Sequence, residues 1–408
     1  MSRRLGGIPV CRTAVTALTV LIATGRAAAQ TDTPIPSAAA IQLGALSLSP
    51  SIAIRDIGID SNVFNDTAEP KEDFTLTVRP ELQASVGLGS ARLTGTGGGN
   101  FVYYQRYKNE QSTDGRLSGR FEMRSARLAP FATVSRARSR ERMGFEIDAR
   151  ARRLDIDLSA GTDFEVTGVT ALTAFVRRTT LAYDSGERFA GVDLAGELNR
   201  RSESAGVGAK FAVTPLTTIS ATVELQRDRF EGSSLRDADI LRVGPAVEFG
   251  TAAAITGRVS VGYREFRPLH AGLPRHRGFV ASAATTIAVL ERTLFDVRAN
   301  RDVVYSLDAT SPYYLATGGG LTVTHRLAGP VDVIGIGAWQ RLRYQTLGGS
   351  PLDGRTETTT TGGGGAGLRL TPNLRFALTY DLTTRDSSEP GDRHFDRRRI
   401  LGAFNYGL

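Results

Sequence analysis

From Phe74 to Leu88 the chain alternates strictly. Phe74, Leu76, Val78, Pro80, Leu82, Ala84, Val86 and Leu88 are interleaved with Thr75, Thr77, Arg79, Glu81, Gln83, Ser85 and Gly87. Successive side chains of a strand point to opposite faces, so this period of two makes one face apolar and the other polar. Strands of globular proteins usually stop near ~5–6 residues, whereas a tilted strand needs ~9–11 to cross a bilayer. The stretch predicts a membrane-spanning strand with lipid on one side and water on the other. The alternation recurs at Leu374-Phe376-Leu378-Tyr380-Leu382, Leu241-Val243-Pro245-Val247-Phe249, Leu154-Ile156-Leu158 and Ile219-Ala221-Val223-Leu225.

Short breaks rich in Gly, Pro and Thr punctuate the chain at 89–90, 128–130, 166–168, 214–217, 251–254, 290–292, 328–330 and 371–373, spaced by about 39 residues. Nine polar breaks alternate with them, starting before the first and ending after the last, the fourth over Asp184–Phe189. Eight tight turns and nine loops separate eighteen strands. The expected fold is all-β: a transmembrane antiparallel up-and-down β-barrel of about eighteen strands over residues 49–408, with short periplasmic turns. No outer loop in this reading is long enough to fold into the pore. Strands 49–64, 169–183 and 331–346 alternate less cleanly, which bulges would explain. Aromatic residues suggest two interfacial girdles, with Tyr103, Tyr107, Phe230, Tyr263, Tyr305, Tyr313 and Tyr344 at the loop ends. Phe164, Phe211, Phe249, Phe295, Phe404 and Tyr406 would form the other at the turn ends.

The N-terminus changes the picture of where the chain goes. Arg3, Arg4 and Arg12 precede the apolar run 13–24, and Ala27-Ala28-Ala29 precedes Gln30, the pattern of a secretory signal peptide over 1–29. Residues 30–48, with Pro34 and Pro36, read as a periplasmic linker. The only cysteine, Cys11, falls within the leader, so the mature chain is expected to hold no disulfide, thiolate nucleophile or Cys-ligated metal. The formal charge of +8 falls by four, to +4, once Arg3, Arg4, Arg12 and Arg26 are removed. Acids interleave with that excess, and no basic block with aromatics argues for nucleic acid.

Candidate chemistry centres on arginine. Arg136, Arg138, Arg140 and Arg142 recur at spacing two in FATVSRARSRERM, and Arg341 with Arg343 and Arg397 with Arg399 repeat the interval. A lipid-facing arginine at mid-membrane costs ~2–4 kcal/mol, so the ladder is expected to line the lumen or to extend beyond the bilayer. Lining a pore, these eight arginines would attract anions. Paired with Asp155, Asp157, Glu224, Asp296 or Asp302 on neighbouring strands, they would only brace the wall. For catalysis there are only His270, His276, His325 and His394, none in a triad-like pattern, although His394 lies near Asp386 and Asp392. The expectation is no enzyme, no catalytic residues, no metal site and no cofactor. Gly318–Gly320 and Gly362–Gly365 lack the following helix of a phosphate loop and read as close packing or curvature within strands.

The segments Asp56-Ile57-Gly58-Ile59-Asp60-Ser61-Asn62-Val63-Phe64, Asp73-Phe74, Val78-Arg79-Pro80 and Tyr103-Tyr104-Gln105-Arg106-Tyr107 resemble the opening strands of the putative β-barrel porin type 2 family of Gram-negative outer-membrane proteins. The resemblance implies the cell outer membrane as location more firmly than an activity; together with the arginines, the reading is a porin-like passive channel for small or polymeric anionic solutes. Some members are associated with polysaccharide export, which makes an anionic polysaccharide a candidate partner. The alternative is a structural or assembly component whose lumen is closed by side chains. The C-terminal strand, with Ile400, Phe404, Tyr406 and Leu408 on one face, is similar to the segment read by the barrel assembly machinery, with Leu408 in place of the usual Phe. Outer-membrane lipid and lipopolysaccharide are the other expected partners, around a monomer.

Overall fold

The computed structural model describes residues 41–407 apart from 143, 145, 251–252, 328, 346–353, 372 and 389–392. The expected leader 1–29, with Cys11, and the linker up to residue 40 lie outside the described residues. Eighteen long strands follow: β1 Leu46–Asp60, β2 Asp73–Leu88, β3 Ala91–Tyr104, β4 Ser112–Met123, β5 Leu128–Arg142 and β6 Arg150–Thr167. They continue as β7 Thr170–Tyr183, β8 Arg200–Thr214, β9 Thr217–Phe230, β10 Ala238–Phe249, β11 Ile255–Pro268 and β12 His276–Val289. The last six are β13 Thr293–Tyr305, β14 Tyr313–Arg326, β15 Val331–Gln345, β16 Thr356–Thr371, β17 Leu374–Ser387 and β18 Phe395–Gly407. Each strand pairs antiparallel with its neighbours in chain order, and β1 pairs with β18 from Ser51↔Gly407 to Asp60↔Arg399, closing the ring. Closure removes both sheet edges, so no ladder donor is left to face hydrocarbon. The eighteen-stranded up-and-down barrel is the fold expected from the sequence.

Two boundaries differ from expectation. Ile41–Leu43 folds back on Leu46–Leu48, so the sheet begins inside the segment read as linker. In β1 the register shifts between Ile54 and Ile57, where Asp56 adopts φ +57, a bulge that explains the broken alternation there.

The two faces follow from register. Directly opposed residues of an antiparallel pair share a face. Leu117, Val134, Leu158, Val176, Val207 and Val223 point outward, Leu117 and Val207 being 66% and 60% exposed. In β2 the outward residues include Leu82 and Leu88 of the Phe74–Leu88 alternation. An apolar belt this continuous belongs in lipid. On the inner face Gly363 and Gly365 leave no room for a side chain against the carbonyls of Tyr380 and Leu378, the close packing expected of that glycine run.

The loop end is more elaborate than the sequence suggested. The loop after β7 runs from 184 to 199, not to Phe189, and carries helix α1, Leu194–Leu198, whose N-cap Asp193 accepts from the Ala195 amide. Pairing of β12 with β13 stops at Ala281↔Arg301. Above that point Val303, Tyr305, Tyr313 and Leu315 cluster with the inner-wall residues Ile240 and Phe266. The top of the β13–β14 hairpin therefore leaves the wall and fills part of the bore. Four aromatics expected in the loop-side girdle, Phe230, Tyr305, Tyr313 and Tyr344, lie in these internal clusters instead. Tyr103 and Tyr263 do face outward.

Candidate functional site

The inner wall is built from the polar half of each alternation, chiefly Ser, Thr, Gly and charged residues. Those charges pair along one strand or across one to three strands of the wall. Glu81 receives Arg79 at 3.5 Å and Arg116 at 2.7 Å, and Asp163 receives Lys210 at 2.8 Å. Asp302 holds Arg242 at 2.9 Å and also Arg264, while Asp332 holds Arg375 through Nε at 3.0 Å. Asp60–Arg397 and Asp381–Arg399 form two rungs beside the closing seam, with Nε–carboxylate distances of 2.8 and 2.9 Å. Such alternation of sign cancels the field of each rung within a few ångströms and stiffens the wall.

The eight expected pore arginines divide. Arg397 and Arg399 point inward and are paired as above. Arg136 opposes Leu117 and Ile156, and Arg138 opposes Leu154, so both continue the outer face of Val134 rather than the lumen. Arg138 meets Asp184 at 2.8 Å there. Arg140 and Arg142 turn over the rim: Arg140 reaches Glu110 at 3.2 Å, and Arg142 Nε donates to the Asp148 carbonyl at 3.0 Å. Arg341 and Arg343 extend the outer row of Val331, Val333 and Trp339. Of the acids considered as braces, Asp155 pairs with Arg153, Asp157 with Arg177 and Asp296 with Arg298, at 2.8, 3.8 and 3.1 Å. These arginines come from within two strands of their acids rather than from the expected ladder. The sequence held the signal for the correction. Arg136 and Arg138 share parity with Ala132 and Val134, and Arg341 and Arg343 with Val331 and Val333, so each pair continues an apolar row past the hydrocarbon.

Over the mouth the outer loops interlock. Glu146, only 3% exposed, sits between β5 and β6. Its Oε1 accepts from Ser306 Oγ at 2.5 Å, and its Oε2 from the Leu307 amide at 3.1 Å. Ser306 and Leu307 belong to the loop between β13 and β14, almost halfway round the ring, so this contact crosses the bore. Arg236, fully enclosed between β9 and β10, donates to the carbonyls of the same two residues at 2.8 and 2.9 Å and pairs with Glu197. Asp148 ties to Arg385 of β17 at 3.3 Å and accepts from Asn65 at 2.5 Å. Beneath lie Ile147, Leu194, Leu198, Leu307, Phe230 and Tyr183 in one apolar cluster. The expectation that no outer loop can fold inward is therefore corrected: several short loops share the task that one long loop performs alone. Burial raises the Glu146 carboxyl from its ordinary 4.5 to about 7, against the opposing pull of the Ser306 and Leu307 donors and Arg393.

Sequence reasoning missed Glu146, Arg236 and Ile147, because nothing local marks a loop acid whose partner is 160 residues away. Of the histidines, His276 lies half-buried opposite the inner-wall Phe266, and the others stay peripheral. His394 meets Asp386 at 2.9 Å in an exposed pair, and His325 Nδ1 lies 2.8 Å from Thr293 Oγ1. Among the described residues no group of three or more His, Cys, Asp or Glu side chains is placed to hold a metal ion.

A closed barrel with an apolar outer belt and a polar, charge-lined interior defines a porin-like β-barrel of the Gram-negative outer membrane. The chain belongs to the family described as Putative beta-barrel porin 2, whose model matches residues 34–402. No curated protein matches it. Among solved structures it is similar to a BenF-like porin from Pseudomonas fluorescens Pf-5, at 12% identity and TM-score 0.49, covering 88% of this chain and 99% of that one. Pseudomonas aeruginosa OccK2 (OpdF) in complex with glucuronate matches at 10% identity and TM-score 0.49, over 88% and 98% of the two chains. OpdK of the same organism, with vanillate, matches at 9% identity and TM-score 0.48, over 88% and 99%.

Proposed function

We propose that the protein is a diffusion channel for small polar solutes, with its outer mouth held by the Glu146–Ser306 loop latch. The observation that carries this reading is the pairing of a polar, Ser/Thr-rich wall with a mouth covered by loops and by the top of the β13–β14 hairpin, which can part without breaking the β1–β18 ladder that closes the ring. Anionic solutes fit the interior as one class among several, because inward acids neutralise inward arginines and the outward ladder adds nothing to the pore field. A polysaccharide fits less well, since it would have to part five loops at once. The expected route to the membrane, cleavage after Ala29 and assembly of a monomer through β18, remains part of the proposal.

The second reading, a structural barrel with a side-chain-closed lumen, is favoured by the inner cluster of Ile334, Ile336 and Ala377 and by the inturned β13–β14 hairpin. Planar-bilayer recording separates the two. The channel reading expects ohmic steps from the wild type, larger or more frequent in Glu146→Ala. Silence from both refolded proteins would sink it and leave the structural reading.

A further inference from the structure

We propose that the outer wall of β6–β10 is a binding site for a phosphorylated glycolipid, the lipopolysaccharide of the outer leaflet. Its acyl chains lie in an apolar groove and its phosphates on the arginines above it. The groove is a concavity of about 560 Å³ in the lipid-facing surface, bordered by Phe164, Leu172, Val207 and Val243 and floored by Ala209 and Ala221. It exists because consecutive strands place short side chains side by side: Ala209, Ala221 and Pro245 are opposed in register, with Leu172 at the edge. Two outward positions above the row Ala174–Val207–Val223 comes the row Arg178–Glu203–Arg227, again in direct register. Four residues at ~3.3 Å each place those guanidiniums ~13 Å along the strands from the groove. Arg201, opposite Thr180 and Arg229, adds a third cation one step higher. Two acids share the collar: Glu203, 3.9 Å from Arg178, spaces Arg178 from Arg227, and Asp239, opposite Arg227 on β10, pairs with Arg229 at 2.8 Å, so the four arginines keep an excess of two positive charges.

The side of the membrane and the number of charges choose the ligand. These arginines lie at the long-loop ends of the strands, the extracellular side of such barrels. Guanidiniums pair with phosphate through two parallel hydrogen bonds, and a cation collar just above an apolar belt attracts anionic headgroups. Several guanidiniums spread over three strands match a lipid with more than one phosphate better than a lipid with one. Arg136 and Arg152, exposed on β5 and β6, extend the same collar sideways.

The test isolates the full barrel from outer membranes in detergent and measures bound lipopolysaccharide by native mass spectrometry. Wild type is expected to retain it, and a variant combining Arg178→Gln, Arg201→Gln and Arg227→Gln to retain at least tenfold less. A variant with Ala209→Trp and Ala221→Trp, which fills the groove and keeps the arginines, should also lose it. In a second measurement, wild type refolded with purified diphosphorylated lipid A is compared with the same protein refolded with dephosphorylated lipid A or phosphatidylglycerol. A tenfold preference for the diphosphorylated lipid is expected even if the triple variant fails to fold. Equal retention by folded wild type and triple variant, or equal binding of phosphatidylglycerol, would overturn the site.

Discussion

Glu146 accepts a 2.5 Å hydrogen bond from Ser306, although their hairpins stand on nearly opposite sides of the ring. The latch has a built-in pH dependence. Around the carboxyl stand Ser306, the Leu307 amide, Arg393, Glu357, Tyr314 and Tyr344, and burial outweighs the donors. A carboxyl whose pKa is higher in the closed state binds more protons there, so closure is most stable in acid. That stability falls as pH rises from about 4.5 to about 7 and changes no further above it. Channel openings should therefore become more frequent between pH 5 and 7.5. Glu146→Gln, neutral and of the same shape, should stay closed across that range. A wild-type open probability independent of pH would exclude Glu146 as the titrating group.

The two faces of the wall predict opposite tolerances. Leu378, 50% exposed on the outer face of β17, should not accept arginine: Leu378→Arg should cost ~2–4 kcal/mol in a refolding titration into lipid. Ser282→Arg, on the inner face of β12 and facing bore water, should cost under ~1 kcal/mol, as other hydrated surface changes do. Equal losses would mean that the assigned faces are wrong.

That outcome also measures what the sequence disclosed. Strand number, closure and the faces of β2, β9, β10 and β17 were legible because lipid on one side and water on the other imposes alternation residue by residue. The face of Arg136 is legible too, from its parity with Val134, although an arginine ladder in a barrel suggests the lumen first. A strand can carry its outer row past the hydrocarbon, where arginine no longer costs anything. The lid was not legible. Glu146, Arg236 and Leu307 lie in short polar loops without periodicity, and their meeting depends on the circumference of the ring, which no local pattern encodes.

Asp60 and Arg397 tie the first strand to the last, with 5% and 11% of their side chains exposed. Removing one partner leaves the other charge buried without compensation. Asp60→Ala or Arg397→Ala should each destabilise by ~3–5 kcal/mol, and the double variant by less than the sum. Thermal loss of heat-modifiable mobility on gels gives the readout. Additive losses would show that the pair is uncoupled and that the seam is held by the β1–β18 ladder alone.

Ion selectivity tests the sorting of the arginines most directly. If Arg136, Arg138, Arg341 and Arg343 lay along the pore, changing all four to Ser would move the reversal potential toward cation preference, most visibly at low salt where the Debye length is ~30 Å. They lie outside the wall, on the rows of Val134 and Val333, with the strand ladder and lumen water between them and the solute path. The quadruple variant should therefore keep the wild-type reversal potential in a salt gradient. The inner rungs behave differently, because each acid cancels a neighbouring arginine. Asp163→Asn frees Lys210, which now meets the acid at 2.8 Å, and should shift the potential toward anions as well as weaken the wall. The shift should shrink as salt rises toward 1 M, where screening reaches ~3 Å. A quadruple variant that changes selectivity while Asp163→Asn does not would reverse the assignment of inner and outer charges.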